Sequence, residues 1–222
     1  ARDILPRLHR AGEAAKRAAR GETDRVEVGF VSAVLSPELV AVFTGFGKRH
    51  PSVRLQLHDL LPSDQLAALG RGELDVAFVG VAPERLPAGL TSTPWREEDL
   101  LAFVPPNHPL AGRKELRLSE LADEPFVMIS AEAAPSFVSL LHRLCLAEGF
   151  RPRVVQEASR AQAVAALTVA GAGVAILPAS LDRITGNGLP LRLRLRKKAT
   201  LVHSVVHAAK PSEPARAFLE GL

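Results

Sequence analysis

Cysteine occurs once in the 222 residues, at Cys145, so no internal disulfide can staple the chain, and a reducing cytoplasm suits it. Cys145 lies in the helical pattern Leu140-Leu141-His142-Arg143-Leu144-Cys145-Leu146 and reads as a buried structural thiol. Aromatics are scarce: 9 Phe, 1 Trp and no Tyr, none of which interrupts a basic cluster. That argues against a nucleic-acid footprint in this chain, which would interleave aromatics with a broad positive patch. No run is apolar for long enough to span a bilayer. The uncharged stretch from Ala163 to Leu177 is cut by Gly171-Ala172-Gly173 and falls short of the ~20 residues a span requires. It reads as a buried helix turning into a buried strand, and no membrane partner is expected. The N-terminus shows no basic, then apolar, then small-residue pattern, so nothing argues for secretion.

Catalytic signatures are also missing. There is no Gly-x-Ser-x-Gly elbow, His-Glu-x-x-His helix or phosphate loop ending in Gly-Lys-Ser/Thr. His142 and Cys145 share a helical face and His203 and His207 a strand face, but neither pair has a third ligand nearby, so no metal or other cofactor is expected. Glu97-Glu98-Asp99 reads as a solvated, charged turn before a strand. The chain is expected to bind rather than to catalyse.

What is present is alternation. From Val26 to Val79 the pattern runs strand (Val26–Val31), helix (Pro37 to about Lys48), strand (Val53–Leu57), helix (about Asp64 to Leu69) and strand (Leu74–Val79). A turn-rich passage, Pro83–Pro94, precedes a strand at Asp99–Val104. A second block of similar order follows: strand Phe126–Ile129, helix Ser136 to about Glu148, strand Val154–Glu157, helix Arg160–Ala170 and strand Val174–Leu177. Thr200–Ala208 then reads as a returning strand and Glu213–Leu222 as a closing helix. Alternating units of this kind build α/β lobes with mostly parallel sheets. The fold expected is two Rossmann-like lobes, with residues 22–94 and 196–222 in the first and 95–195 in the second. A hinge crossed twice would leave a ligand cleft between them.

Residues 1–21 differ from the rest. Leu5, Leu8, Gly12, Ala15 and Ala19 form a narrow apolar seam on a basic helix, the pattern of a linker that pairs with a second helix. A helix that starts at residue 1 without a cap or initiator methionine leads us to expect a further segment before it. The helix from Pro37 carries Leu39, Val42, Phe43 and Phe46, more apolar positions than one lobe face requires, and is expected to contact a partner. The net charge of +4 comes largely from the first 25 residues and from Arg192–Lys198, whose alternating arginines fit a solvated or edge-protecting strand face.

Ligands of open α/β sheets settle beyond the carboxyl ends of the strands, at helix N-termini. Ser32, Ser36 and Ser63 occupy such junctions, where they serve either as ligand groups or as helix caps. Arg160 follows a strand end as an anion partner or a plain surface arginine.

Several phrases in this order resemble a known family: Val28-Gly29-Phe30, Lys48-Arg49-His50-Pro51-Ser52-Val53, Leu69-Gly70-Arg71-Gly72-Glu73-Leu74-Asp75-Val76-Ala77, Asn107-His108-Pro109-Leu110-Ala111, and Val169 through Pro178. Over its whole length the chain resembles the linker helix and effector-binding domain of LysR-type bacterial transcriptional regulators. The resemblance implies a periplasmic-binding-protein-like (type II) fold and a small effector in the interlobe cleft. It also implies self-association as a dimer or tetramer, and contact with DNA only through a helix-turn-helix segment preceding residue 1. Pro135-Ser136-Phe137 looks like the Pro-Asn-Phe-type loop of the muconate-responsive regulators, which implies that the N–H groups of Ser136 and Phe137 meet an effector carboxylate. The first loop reads Ser32-Ala33 where those regulators carry the hydroxyl one place later, and Pro62 stands in place of a threonine, with Ser63 beside it. The resemblance therefore implies a small organic anion without carrying over muconate itself. A solute-binding protein of a transporter is the alternative, and the helix seam of residues 1–21 distinguishes it, since a transport receptor has no use for one. An enzyme on the same scaffold is the third reading, and it would need a catalytic aspartate or a covalent cofactor site.

Overall fold

The strand–helix alternation is realised in the computed structural model, which describes residue 12 and residues 24–181, 189–193 and 199–222. The expected linker helix, apart from Gly12, and the basic segment 194–198 lie outside the described residues. The strands are β1 (Arg25–Phe30), β2 (Arg54–Asp59), β3 (Val76–Gly80), β4 (Leu90–Val104), β5 (Glu115–Leu116), β6 (Pro125–Ile129), β7 (Arg153–Ala158), β8 (Ala175–Pro178), β9 (Leu189–Leu193) and β10 (Thr200–Ala208). The helices are α1 (Pro37–Arg49), α2 (Pro62–Arg71), α3 (Pro135–Ala147), α4 (Ala161–Val169) and α5 (Glu213–Leu219). β4 begins at Leu90, inside the passage expected to be turns, and runs through Pro94. The chain divides into two units, residues 1–95 with 204–222 and residues 96–203. It passes between them within β4 and β10.

In the first unit β1 pairs in parallel with β2 and β3, and β10 closes antiparallel on β3. Every residue of β3 is buried, as expected of a strand covered on both faces. Its alternation divides two cores. Val76 and Phe78 face a cluster with Leu39, Phe46 and Phe218, while Ala77 and Val79 face one with Ala68, Leu69 and Leu74. The partner contact expected of Leu39, Val42, Phe43 and Phe46 is not open to two of them. Leu39 and Phe46 are fully buried in their own unit, and Phe43 lies 6.3 Å from Phe218 and 6.2 Å from Phe78, centroid to centroid. The apparent surplus of apolar residues on α1 is taken up by α5, which lays Phe218 against them.

Glycine has a local reason at two of the quoted phrases. Gly72 ends α2 in the left-handed region, at φ 74°, and returns the chain toward β3. Asp75 then ties β3 to β1: its N–H donates to the Glu27 carbonyl at 2.9 Å, and its Oδ2 accepts the Glu27 N–H at 2.9 Å.

In the second unit β4 pairs antiparallel with β8 and β9, and β5 runs parallel to β9. β6 and β7 are parallel, and Phe126 bridges in parallel to Val174 just ahead of β8. The carboxyl ends of β6, β7 and β8 therefore share one edge. Gly173 permits this close approach, because a Cβ there would lie 2.4 Å from the Pro125 carbonyl oxygen. α4 buries Ala161, Val164, Ala165 and Thr168, as expected of the uncharged stretch that contains it. Cys145 is buried on α3, and burial pushes its thiol up to about 12. Among the described residues, no helix is long and apolar enough to cross a membrane.

Candidate functional site

At the carboxyl edge of the first sheet, the chain leaves β1 into a 3-10 turn, Ser32–Val34, and leaves β2 into α2. Ser32 Oγ donates to both carboxylate oxygens of Asp59, the last residue of β2, at 3.2 Å each. Ala33 is the next residue of the same turn. Ser36 instead caps α1, its Oγ accepting the Leu39 N–H at 3.3 Å, and the residue is buried. Ser63 is the second residue of α2, behind Pro62. The fully buried Gln65 fixes this entry, since its Nε2 donates to the Leu60 carbonyl at 2.9 Å.

In the second unit the loop after β6 is held by Ala133 and Ala134, whose N–H groups donate to the Ser130 carbonyl at 3.1 and 3.2 Å. It delivers Pro135, Ser136 and Phe137 as the first three residues of α3. Pro135 has no N–H, and the first intrahelical bond runs from Val138 N–H to the Ala134 carbonyl at 3.1 Å. Among the described residues no acceptor meets the Ser136 or Phe137 N–H. Phe137 points inward and is buried, while Ser136 is half-buried. Arg160 is the residue before α4, where the Ala163 and Val164 N–H groups both return to its carbonyl at 3.1 Å.

The helix ends differ in a way that bears on charge. α1 and α5 are closed by Ser36 and Ser212, and each carries a glutamate in its first turn. α2, α3 and α4 have no side-chain cap, and α3 and α4 also have no acidic residue in the first turn. Uncapped N–H groups carry roughly half a positive charge at a helix N-terminus, which makes them anion sites. Ser136, Phe137 and Arg160 thus fall at the two described helix ends of the second unit, which have no side-chain cap and no acidic residue in the first turn.

One polar centre lies outside the expected set. Glu98 is not in a solvated turn: it stands in β4 with its side chain 8% exposed. Strand alternation sends Glu97 and Asp99 outward and Glu98 inward, where donors compensate the burial. One carboxylate oxygen takes His203 Nε2 at 2.6 Å and Arg96 Nη2 at 3.0 Å, and the other accepts the Ser180 N–H. Burial pushes the Glu98 carboxyl upward, but the bonds from His203 and Ser180 outweigh it and hold the group below its ordinary value. His203 is almost wholly buried and His207 half-buried, and a register shift between Ser204 and Val205 interrupts the alternation that would give them one face. Nor do His142 and Cys145 form a pair, since His142 is exposed and Cys145 buried. Among the described residues no group of three or more His, Cys, Asp or Glu is placed to hold a metal ion.

Comparison with known proteins adds the following. A family model described as the LysR substrate binding domain matches residues 19–222. The HTH-type transcriptional regulator AlsR of Bacillus subtilis is 29% identical over 183 residues, covering 82% of this chain and 60% of its own length. YnfL, an HTH-type transcriptional regulator of Escherichia coli, is 32% identical over 189 residues, covering 84% of this chain and 62% of its own. The chain therefore spans only part of these relatives. Among solved structures, the effector binding domain of QuiR in complex with shikimate matches with a TM-score of 0.80 over 90% of this chain and 95% of that one. At 17% identity, that likeness concerns the fold.

Proposed function

The chain belongs to the LysR substrate binding domain family, and from that premise we propose that it is the effector-sensing and oligomerising part of a LysR-type transcriptional regulator, controlling transcription by binding a small organic anion. The observation that carries the anion is the pair of helix N-termini at α3 and α4. They leave the N–H groups of Ser136 and Phe137 without an acceptor among the described residues, carry no first-turn acid, and set Arg160 at the same sheet edge. Shikimate, the ligand of the QuiR domain, is an anion of this class. Ser32, Ala33 and Ser63 are proposed as effector-binding residues of the first unit, and in the second Pro135 fixes the entry to α3.

The relatives are HTH-type regulators, which favours this reading over a transporter's solute-binding protein and over an enzyme. DNA would be met through a helix-turn-helix segment outside this chain, and the partner in self-association would be a second copy, in a cytoplasmic protein. The test uses charge at one backbone position. Ser136→Asp places a carboxylate in the first turn of α3, where it favours the helix but repels an anionic ligand. With the chain labelled for amide NMR and titrated with small carboxylates, shikimate among them, the Ser136 and Phe137 signals should move in the wild type. The mutant should bind about tenfold more weakly or worse while melting no lower, since a charge-assisted bond is worth roughly 1.5–3 kcal/mol. Equal affinity in the two proteins would refute the anion site.

A further inference from the structure

β4 runs antiparallel to β8, with Leu100 opposite Pro178, so the middle of β4, around Glu98, lies at the edge where β6, β7 and β8 end. The turn Ala179–Leu181 leaves β8 at that edge and packs against α4. Glu98 reaches this turn from below. Its carboxylate receives the Ser180 backbone N–H and also a bond from the Ser180 side chain. Its other oxygen is held by Arg96 from β4 and His203 from β10, the two strands in which the chain passes between units. A buried carboxylate with this many donors is costly to disturb, because removing one partner leaves the others unsatisfied.

We propose that Glu98 is a positioning residue of the effector face. It acts through Ser180 to fix the turn after β8, and through that turn the seat of α4 behind Arg160, while tying both to β4 and β10. Resting on the anion reading above, the proposal adds what sets the geometry of that face, and it gives ligand binding there a direct mechanical link to the two crossing strands. Glu98 need not touch the ligand. Its part is to hold the turn, so its loss should loosen one amide and weaken binding without unfolding the unit.

The variant Glu98→Gln keeps the shape but presents an NH2 group to one of the N–H donors, so one arm of the clamp must open. Amide exchange and shikimate titration by NMR are read on the same labelled 222-residue chain. The expected result is exchange at Ser180 faster by about tenfold or more, shikimate affinity lower by about threefold to tenfold, and far-UV dichroism unchanged. Ser180→Ala, which removes only the hydroxyl contact, should give the same two changes at smaller size, and it carries the test should Glu98→Gln fail to fold. Unchanged exchange at Ser180 overturns the proposal, as does faster exchange with unchanged affinity. A wild-type chain whose Ser136 and Phe137 amides ignore shikimate and the other carboxylates would instead remove the anion reading, a failure visible before any variant is made.

Discussion

The single tryptophan and the single cysteine fall in different units, which makes the substitution Phe218→Ala unusually informative. Phe218 is fully buried on α5, with its ring centroid 5.2 Å from Phe46, 6.3 Å from Phe43 and 6.4 Å from Phe78. Truncating such a side chain to Ala costs about 3–5 kcal/mol, against a domain stability of about 5–15 kcal/mol. At a urea dependence of about 2 kcal/mol per molar, the midpoint of the first unit should fall by roughly 2 M. Trp95 packs edge-on against Phe78 at 5.1 Å and belongs to that unit, so its fluorescence reports the loss. Cys145 is buried on α3 in the other unit, and with its thiol pushed up to about 12 it reacts only once exposed. Thiol labelling across the same urea series thus reports the second unit. Fluorescence should shift and labelling should stay near its wild-type midpoint. Equal shifts in both signals would refute the division, showing that the two units unfold as one.

Two further outcomes follow from single contacts. Gly173→Ala should cost about 2–4 kcal/mol, since the new Cβ meets the Pro125 backbone and the bond from Val174 N–H to Pro125 at 2.8 Å must yield; a thermal melt reads it. Glu98, with its carboxyl held below the ordinary 4.5, contributes stability that is present above that value and is lost as pH falls through the depressed one. Urea midpoints should therefore fall more steeply below pH 4.5 in the wild type than in Glu98→Gln.

Local pattern is enough to place most elements. Thr200–Ala208 is a strand in pattern and in structure, and the helices from Pro37 and near Ser136 begin within a residue of expectation, because a proline at the first turn and the apolar period both mark them. β4 reads short for an equally local reason. Pro94 is a strand breaker by rule, yet it is exposed within a strand that continues through it. α1 reads as carrying a surplus of apolar residues because its cover, Phe218, is 172 residues beyond Phe46 in sequence. Helix ends are legible as ends, but their electrostatic difference is not. Ser36 as a cap and Ser136 as a residue inside a first turn look alike until the N–H acceptors are known.

Glu98 shows where such reading stops. A run of three carboxylates is assigned to solvent because an unpaired buried charge is prohibitively costly, and nothing within a few residues offsets that cost beyond Arg96. The donors that reverse the outcome, Ser180 and His203, lie 82 and 105 residues away. They arrive only because the chain returns through β8 and β10 to the middle of β4. Partners this remote are to be expected where a chain crosses between units, since each crossing strand meets segments from the far end of its excursion. Positions that join crossing strands to distant turns are therefore the ones least visible to local pattern, and a buried charge in a crossing strand is the structural sign by which to find them.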